Sequence, residues 1–272
     1  MTFRRFLCPL PGFFLLALLG MSMQSGAQNL RSHPNNAWDT GEFLRYRVYY
    51  NSLLTGNVTA GEATIEVKNT SRRFFGREVW QIEAHGRSKG AFNWFFKVKN
   101  RYESFVDKQA VIPYLFVRRT REGSYVKDDD VYFYPQQRLA VSKTARKPVP
   151  DNVHDFVSAL YFMRTLSVDD FDKDGNYFID FFLDDSVYNS KIVFLGREEI
   201  RTSMGTFRCL KIAPMMATGN VFADAYPMFV WVTDDENHLP LLAESKVIVG
   251  SVKMELVEAR NLKNPMKARL KE

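Results

Sequence analysis

The period of the apolar residues is the strongest constraint on this chain, and over most of its length that period is two. Leu44, Tyr46, Val48 and Tyr50 alternate with Arg45, Arg47 and Tyr49, and Ala63, Ile65 and Val67 alternate with Thr64 and Glu66. Successive side chains of a strand point to opposite faces, so this pattern specifies strands with one buried face. Val58 and Ala60 are out of step with the second set, which predicts a bulge near Gly61-Glu62. Further strand-like runs cover 79–85, 94–106, 114–121, 124–134, 176–184, 191–195, 206–213, 228–233, 242–249 and 251–257, with Gly, Pro, Asn and Asp at the breaks. Roughly a dozen short strands on tight turns predict a mainly β fold, an antiparallel meander forming a barrel or curved half-barrel.

One segment departs from this period. Asp151-Asn152 follows Lys147-Pro148-Val149-Pro150 and can cap a helix, and Val153, Phe156, Val157, Leu160 and Tyr161 then recur at helical spacing. One central α-helix is predicted at 152–166. Residues 177–183 raise a second point: Tyr177, Ile179, Phe181 and Leu183 occupy one side of the strand, while Phe178 and Phe182 occupy the other. A strand apolar on both faces needs a covering layer, an apolar cavity or a partner surface.

The first residues read as a targeting segment. Arg4-Arg5, the apolar run Phe13 to Leu19 and the small residues Ser25-Gly26-Ala27 form a cleavable secretory signal over 1–27, too short to span a bilayer. Cys8 precedes the apolar run, so it is not the cysteine of a lipoprotein signal. The expected product is soluble, periplasmic or secreted, and not a lipoprotein. Its expected parts are a flexible lead-in at 28–37, one β-rich domain at 38–260 and a basic tail at 261–272. Cleavage removes two arginines and no acid, which leaves 35 basic residues (37 − 2) against 31 acidic, a charge of +4. Acids and bases are interleaved, which excludes a nucleic-acid face. Cys209 is then alone, without a disulfide partner, and within Phe207 to Ile212 it reads as a buried inert thiol.

Several constellations are candidates for chemistry. His154 and Ser158, four apart on the predicted helix, form a conceivable base and nucleophile, although Asp155 points away from that pair. Asp170, Asp172 and Asp174 before Gly175 resemble the start of a calcium loop, but Phe181 occupies the position where an EF-hand needs Glu. The alternative is a solvated acidic turn. Glu198-Glu199 and Asp234-Asp235 are adjacent acids that face opposite sides of a strand, and His33, His85, His154 and His238 lack metal-ligand spacing. No dinucleotide, phosphate-loop or nucleophile-elbow motif occurs, so no catalytic residue is assigned. The run Phe92-Asn93-Trp94-Phe95-Phe96 reads as strand core or as the lining of an apolar cavity. The candidate ligand-binding set is Trp94, Phe96, Tyr102, Phe156 and Leu160.

Glu42 to Tyr50 followed by Gly56 to Ala63 resembles the opening of the domain-of-unknown-function 3108 family (DUF3108) of exported bacterial proteins. Trp94-Phe95-Phe96-Lys97-Val98 with Arg101 to Ser104, Val153 to Tyr161, and Trp231 to Asp235 with Leu239-Pro240 and Val249 to Val252 are similar to its later blocks, in the same order. The likeness spans about 38–260 and is greatest to the Bacteroidetes branch, which implies a Gram-negative periplasm and an all-β fold but no activity. The function expected first is a non-enzymatic binder of a hydrophobic small molecule or of an envelope protein or lipid. An envelope polysaccharide enzyme with paired carboxylates and a scaffold in a secreted complex are the alternatives. No cofactor is expected unless calcium occupies the acidic turn.

Overall fold

The structure, a computed structural model, describes residues 30–52, 56–215, 228–246 and 251–271. The secretory signal expected at 1–27 lies outside these residues. The alternating segments form β1 (Phe43–Ser52), β2 (Gly56–Lys68), a short β3 (Arg73–Phe74), β4 (Arg77–Ser88), β5 (Lys99–Asp107), β6 (Pro113–Glu122), β7 (Tyr125–Tyr134), β8 (Leu139–Val141) and β9 (Arg146–Pro148). After the central helix follow β10 (Asn176–Leu183), β11 (Ser186–Thr202), β12 (Gly205–Met215), β13 (Met228–Thr233), β14 (Pro240–Lys246) and β15 (Ser251–Arg260). Both sets run as antiparallel meanders, and the pairing of β1 with β15 from Phe43↔Arg260 to Asn51↔Ser251 joins them into one sheet.

The sheet curls without closing, and its free edges are β9 and β10. The chain between them bridges part of the gap. Val149 donates its N–H to the Arg138 carbonyl, and His154 forms a parallel bridge to β10 by donating to Asp180 O at 2.9 Å and accepting from Phe182 N at 2.8 Å. The bulge expected near Gly61-Glu62 lies beside Gly61, where Val48 pairs with Gly61 but Tyr49 pairs with Thr59. A Cβ on Gly61 would stand 2.6 Å from the Arg87 carbonyl, so only glycine fits that close approach.

The helix, α1 being reserved for a short turn at Phe92–Phe95, is α2 (Phe156–Met163). It starts later than the expected 152–166 because Asp155, not Asp151 or Asn152, caps it. The Asp155 carboxylate accepts from the N–H groups of Val157 and Ser158, both at 2.8 Å, and Ser158 returns the bond by accepting from Asp155 N. The buried side of α2 carries Val157, Tyr161 and Phe162 into the main core. There Trp38 meets Tyr161 edge-on at 4.9 Å and donates its indole N–H to the Tyr161 carbonyl at 3.0 Å.

One expectation on local structure changes. The strand expected at 94–106 begins only at Lys99, because Gly90, with φ +57°, turns the chain and Ser88 clasps the loop. Ser88 Oγ accepts from Val98 N at 2.9 Å and donates to Asn93 Oδ1 at 2.6 Å. The lead-in at 30–37 contacts the body of the fold: His33 hydrogen-bonds Thr165 at 2.7 Å and Arg31 reaches the carbonyl of Ala110 at 2.9 Å. The basic tail is likewise held, with Arg269 bridged to Phe207 and Ala268 fully buried.

At the far end of α2, Arg164 is 2% exposed and forms a two-pronged ion pair, at 2.6 and 2.8 Å, with the fully buried Glu42. Tyr161 Oη also donates to Glu42 at 3.1 Å, and Arg164 Nε donates to the Asn237 carbonyl. Removing one partner leaves an uncompensated buried charge. Glu42→Ala is expected to lower stability by about 3–5 kcal/mol, whereas the paired change Glu42→Gln with Arg164→Met recovers most of it. Urea unfolding of the three chains measures both.

Candidate functional site

The residues of chemical interest gather where α2 begins. His154, Asp155 and Ser158 are buried, and Ser104 on β5 donates to Asp155 Oδ2 at 2.6 Å. Arg31 Nη2 lies 3.2 Å from His154 Nε2. A guanidinium can only donate, so Nε2 accepts and Nδ1 bears the imidazole proton. Nδ1 then donates to Ser158 Oγ at 3.3 Å, and the Ser158 hydroxyl donates to the Asp155 carbonyl at 3.2 Å. A catalytic pair needs the reverse polarity, with the imidazole accepting the hydroxyl proton. Burial, with Arg31 and His33 adding to it, also lowers the His154 pKa well below its ordinary value and keeps the ring neutral. Asp155 makes its bonds to the helix start and to Ser104, not to His154. The cluster is a lock between α2, β5, β10 and the N-terminal segment. Arg31, its cation, carries no motif that would have singled it out in the sequence.

The candidate ligand residues divide into two places. Phe156 opens α2 and remains 56% exposed, with its ring 6.2 Å from Tyr102. Tyr102 stacks in parallel on Phe116 at 6.3 Å, and Leu160, one helical turn beyond Phe156, is half-buried against the core. These four form an apolar step beside the first turn of α2. Trp94 and Phe96 belong instead to the loop between β4 and β5. Trp94 is 88% exposed, so the core-strand reading of this run fails.

The acidic turn is braced by hydrogen bonds of its own. Asp170 accepts from Ser167 N at 2.6 Å and from Ser167 Oγ, while Asp172 accepts from the N–H groups of Asp174 and Asn176. Both carboxylates thus close their own turns, and among the described residues no group of three His, Cys, Asp or Glu side chains is placed to hold a metal. Three of the adjacent acids are also engaged. Glu198 accepts from Trp231 Nε1 at 2.8 Å and Lys211 Nζ at 2.9 Å, Asp234 accepts from Arg197 at 3.0 Å, and Asp235 accepts from Thr233 Oγ1 at 2.8 Å. Cys209 is fully buried, and burial pushes its thiol up to about 12, so little thiolate forms near neutrality.

An uncapped antiparallel sheet of this length, curled around one helix, defines a β-barrel-like domain. The chain belongs to the DUF3108 family, proteins of unknown function, whose profile matches residues 45–257. No curated protein matches it. Its fold is similar to that of the β-barrel-like protein of domain of unknown function DUF1849 from Brucella abortus (TM-score 0.54, 11% identity, covering 81% of this chain and 97% of that one). Weaker likenesses are to a proposed exported protein with a YmcC-like fold from Bacteroides fragilis (TM-score 0.35, 12% identity, 86% and 100% covered) and to a proposed lipoprotein from Parabacteroides distasonis (TM-score 0.36, 10% identity, 86% and 100% covered). Among the described residues no helix is long and apolar enough to cross a membrane.

The lock has a pH signature. Burial is the leading influence on Asp155 and pushes its carboxyl up from 3.8 to about 6, against hydrogen bonds from Ser104, Ser158 and Val157. The folded state therefore keeps a proton that the unfolded chain releases. This contribution is complete below about pH 4 and is lost as pH rises through about 6, on the order of 3 kcal/mol at about 1.36 kcal/mol per pH unit. The stability of wild type minus that of Asp155→Asn is expected to fall across that window in urea titrations. Parallel pH profiles would refute the assignment.

Proposed function

We propose that the chain is exported by residues 1–27 to a Gram-negative periplasm, in the Bacteroidetes branch of its family. There it acts as a non-enzymatic module that binds a hydrophobic ligand or an apolar segment of an envelope partner. The export reading is supported by the basic, apolar and small-residue order of the first 27 residues. The binding reading is supported chiefly by Phe156, a large apolar side chain left 56% exposed beside Tyr102 on a helix whose other face is core. Single exposed apolar residues are common, but here Phe156 adjoins half-buried Tyr102, which stacks on the buried Phe116, and half-buried Leu160 lies one helical turn away. The proposed seat is a surface step, not an internal cargo chamber. The nearby concavity lined by Ile112, Phe133, Val149 and Val153 has a volume of only about 10 Å³, roughly one water.

Phe156 is the first residue of α2, where an acidic side chain suits the helix dipole, so Phe156→Asp is expected to fold normally. Protein purified from its native periplasm is expected to carry an apolar species detectable by native mass spectrometry. Phe156→Asp should weaken its retention at least about tenfold, about 1.4 kcal/mol. Unchanged retention would exclude this seat, and a stoichiometric protein with no small ligand would favour the scaffold reading.

One observation favours an enzyme of envelope glycans as a second reading. Asp129 on β7 is half-buried and its carboxyl is raised, chiefly by burial and further by Asp185 and Asp184, against the pull of Lys127 and Arg118. A general acid needs such a shift. Release of reducing ends from envelope polysaccharide by wild type, abolished in Asp129→Asn, would establish that reading.

A further inference from the structure

Chain geometry produces a second apolar feature, distinct from the Phe156 step. The ten residues between β4 and β5 are clasped at their base by Ser88 and Val98, and α1 turns Trp94 and Phe95 outward, to 88% and 86% exposure. The neighbouring β6–β7 turn is bonded to this loop. Gly123 donates its N–H to the Lys97 carbonyl at 2.8 Å, and the Phe96 ring lies 3.1 Å from where a Cβ on Gly123 would be. Tyr125 and Val126, two and three residues beyond Gly123, are exposed as well. Five large apolar side chains therefore share one rim.

Among the described residues, the charges beside the rim that enter no ion pair are Lys97, Lys99 and Glu122, a balance of one positive charge. Among the described residues Arg87 and Lys89 pair with Glu62, Arg121 pairs with Asp128 and Lys127 with Asp184. Glu122 accepts from Asn100 Nδ2 at 2.6 Å. Lys97 and Lys99 are exposed and enter no ion pair. Aromatic rings are common at protein interfaces, but lysine is depleted there. Indole and phenyl rings at the tip, with lysines set behind them, match the bilayer interface, where aromatics sit at headgroup depth and cations meet anionic lipid.

We infer that the rim built by Trp94, Phe95 and Phe96, with Tyr125, Val126, Lys97 and Lys99, docks the protein onto an anionic phospholipid surface. The inference deepens the envelope-partner half of the proposed function and does not use the Phe156 seat. Trp94 also supplies its own probe. The chain has four tryptophans, and Trp38, Trp80 and Trp231 are buried.

The test uses protein purified from the periplasm and sedimented with phosphatidylglycerol vesicles or with phosphatidylcholine vesicles. Wild type is expected to partition at least tenfold more onto the anionic vesicles, with tryptophan fluorescence quenched by brominated acyl chains and binding weakened by salt. Trp94→Ser with Phe95→Ser should lower partitioning at least tenfold, and Lys97→Glu with Lys99→Glu should remove the preference for anionic lipid. All of these positions are exposed, so the variants should keep the wild-type thermal unfolding and the Phe156-dependent retention of an apolar species. Absence of wild-type binding, unchanged binding by Trp94→Ser with Phe95→Ser, or a concentration-dependent dimer abolished by that variant would overturn the inference. Loss of retention in Phe156→Asp with vesicle binding intact separates the two sites.

Discussion

Arg164 ends its helix inside the protein, where a guanidinium has no water to solvate it, and this single fact organises much of what surrounds it. Glu42, immediately before β1, must be buried opposite it, and Tyr161 and the Asn237 carbonyl must complete its hydrogen bonds. The pair thereby fixes α2 against the middle of the sheet, where β1 and β15 meet. At its other end, α2 is fixed by the Asp155 cap and the His154 bridge to β10. The helix is held at both ends by polar bonds and along its length by Trp38, Tyr161 and Phe162. Such networks add orientation more than net stability, because burying the charges offsets most of what their pairing contributes.

That arrangement also separates structure from function within one small region. The residues with the most reactive appearance, His154, Ser158 and Asp155, spend their bonding capacity on holding the chain. The side chains left open around them are apolar. Phe156 faces outward one residue after the cap, and a second set of rings crowns the loop between β4 and β5. The most exposed large side chains beside this cluster are therefore apolar rings rather than ionisable groups.

The strands were legible because period two is a direct consequence of pleating. Their limits were less so where competing signals acted. Trp94, Phe95 and Phe96 have strand-forming side chains, yet Gly90 and the hydroxyl of Ser88 turn that run into a clasped loop, a contact between residues that no local pattern encodes. Asp151-Asn152 looked like the stronger helix start, but the chain first spends His154 on pairing with β10, so the cap falls to Asp155. β11 extends to Thr202 through Arg197-Glu198-Glu199, charged residues that interrupt the apolar pattern while Asp234 pairs with Arg197, and Trp231 and Lys211 donate to Glu198. Within the candidate site, Tyr102 and Phe156 are 54 residues apart (156 − 102), and only the curling of the sheet around α2 brings their rings together. The exposure of Trp94 was unreadable for the same reason: burial depends on what packs opposite, not on the residue itself.

The pairing of β1 with β15 has a consequence for how the molecule comes into being. Phe43 and Arg260 are partners across a separation of 217 residues (260 − 43), so the central seam of the sheet joins the first strand made to the last. Until the final strand has been delivered, β1 carries an unpaired edge and its buried Leu44 and Tyr46 lack Leu256, their neighbour in the core. Long-range pairing of this kind is slow to nucleate, because loop closure precedes its reward. A nascent chain can fold its local hairpins early, but the cooperative unit is completed only at its C-terminus, and a chain truncated before Ser251 would expose the middle of its sheet rather than an edge designed for solvent.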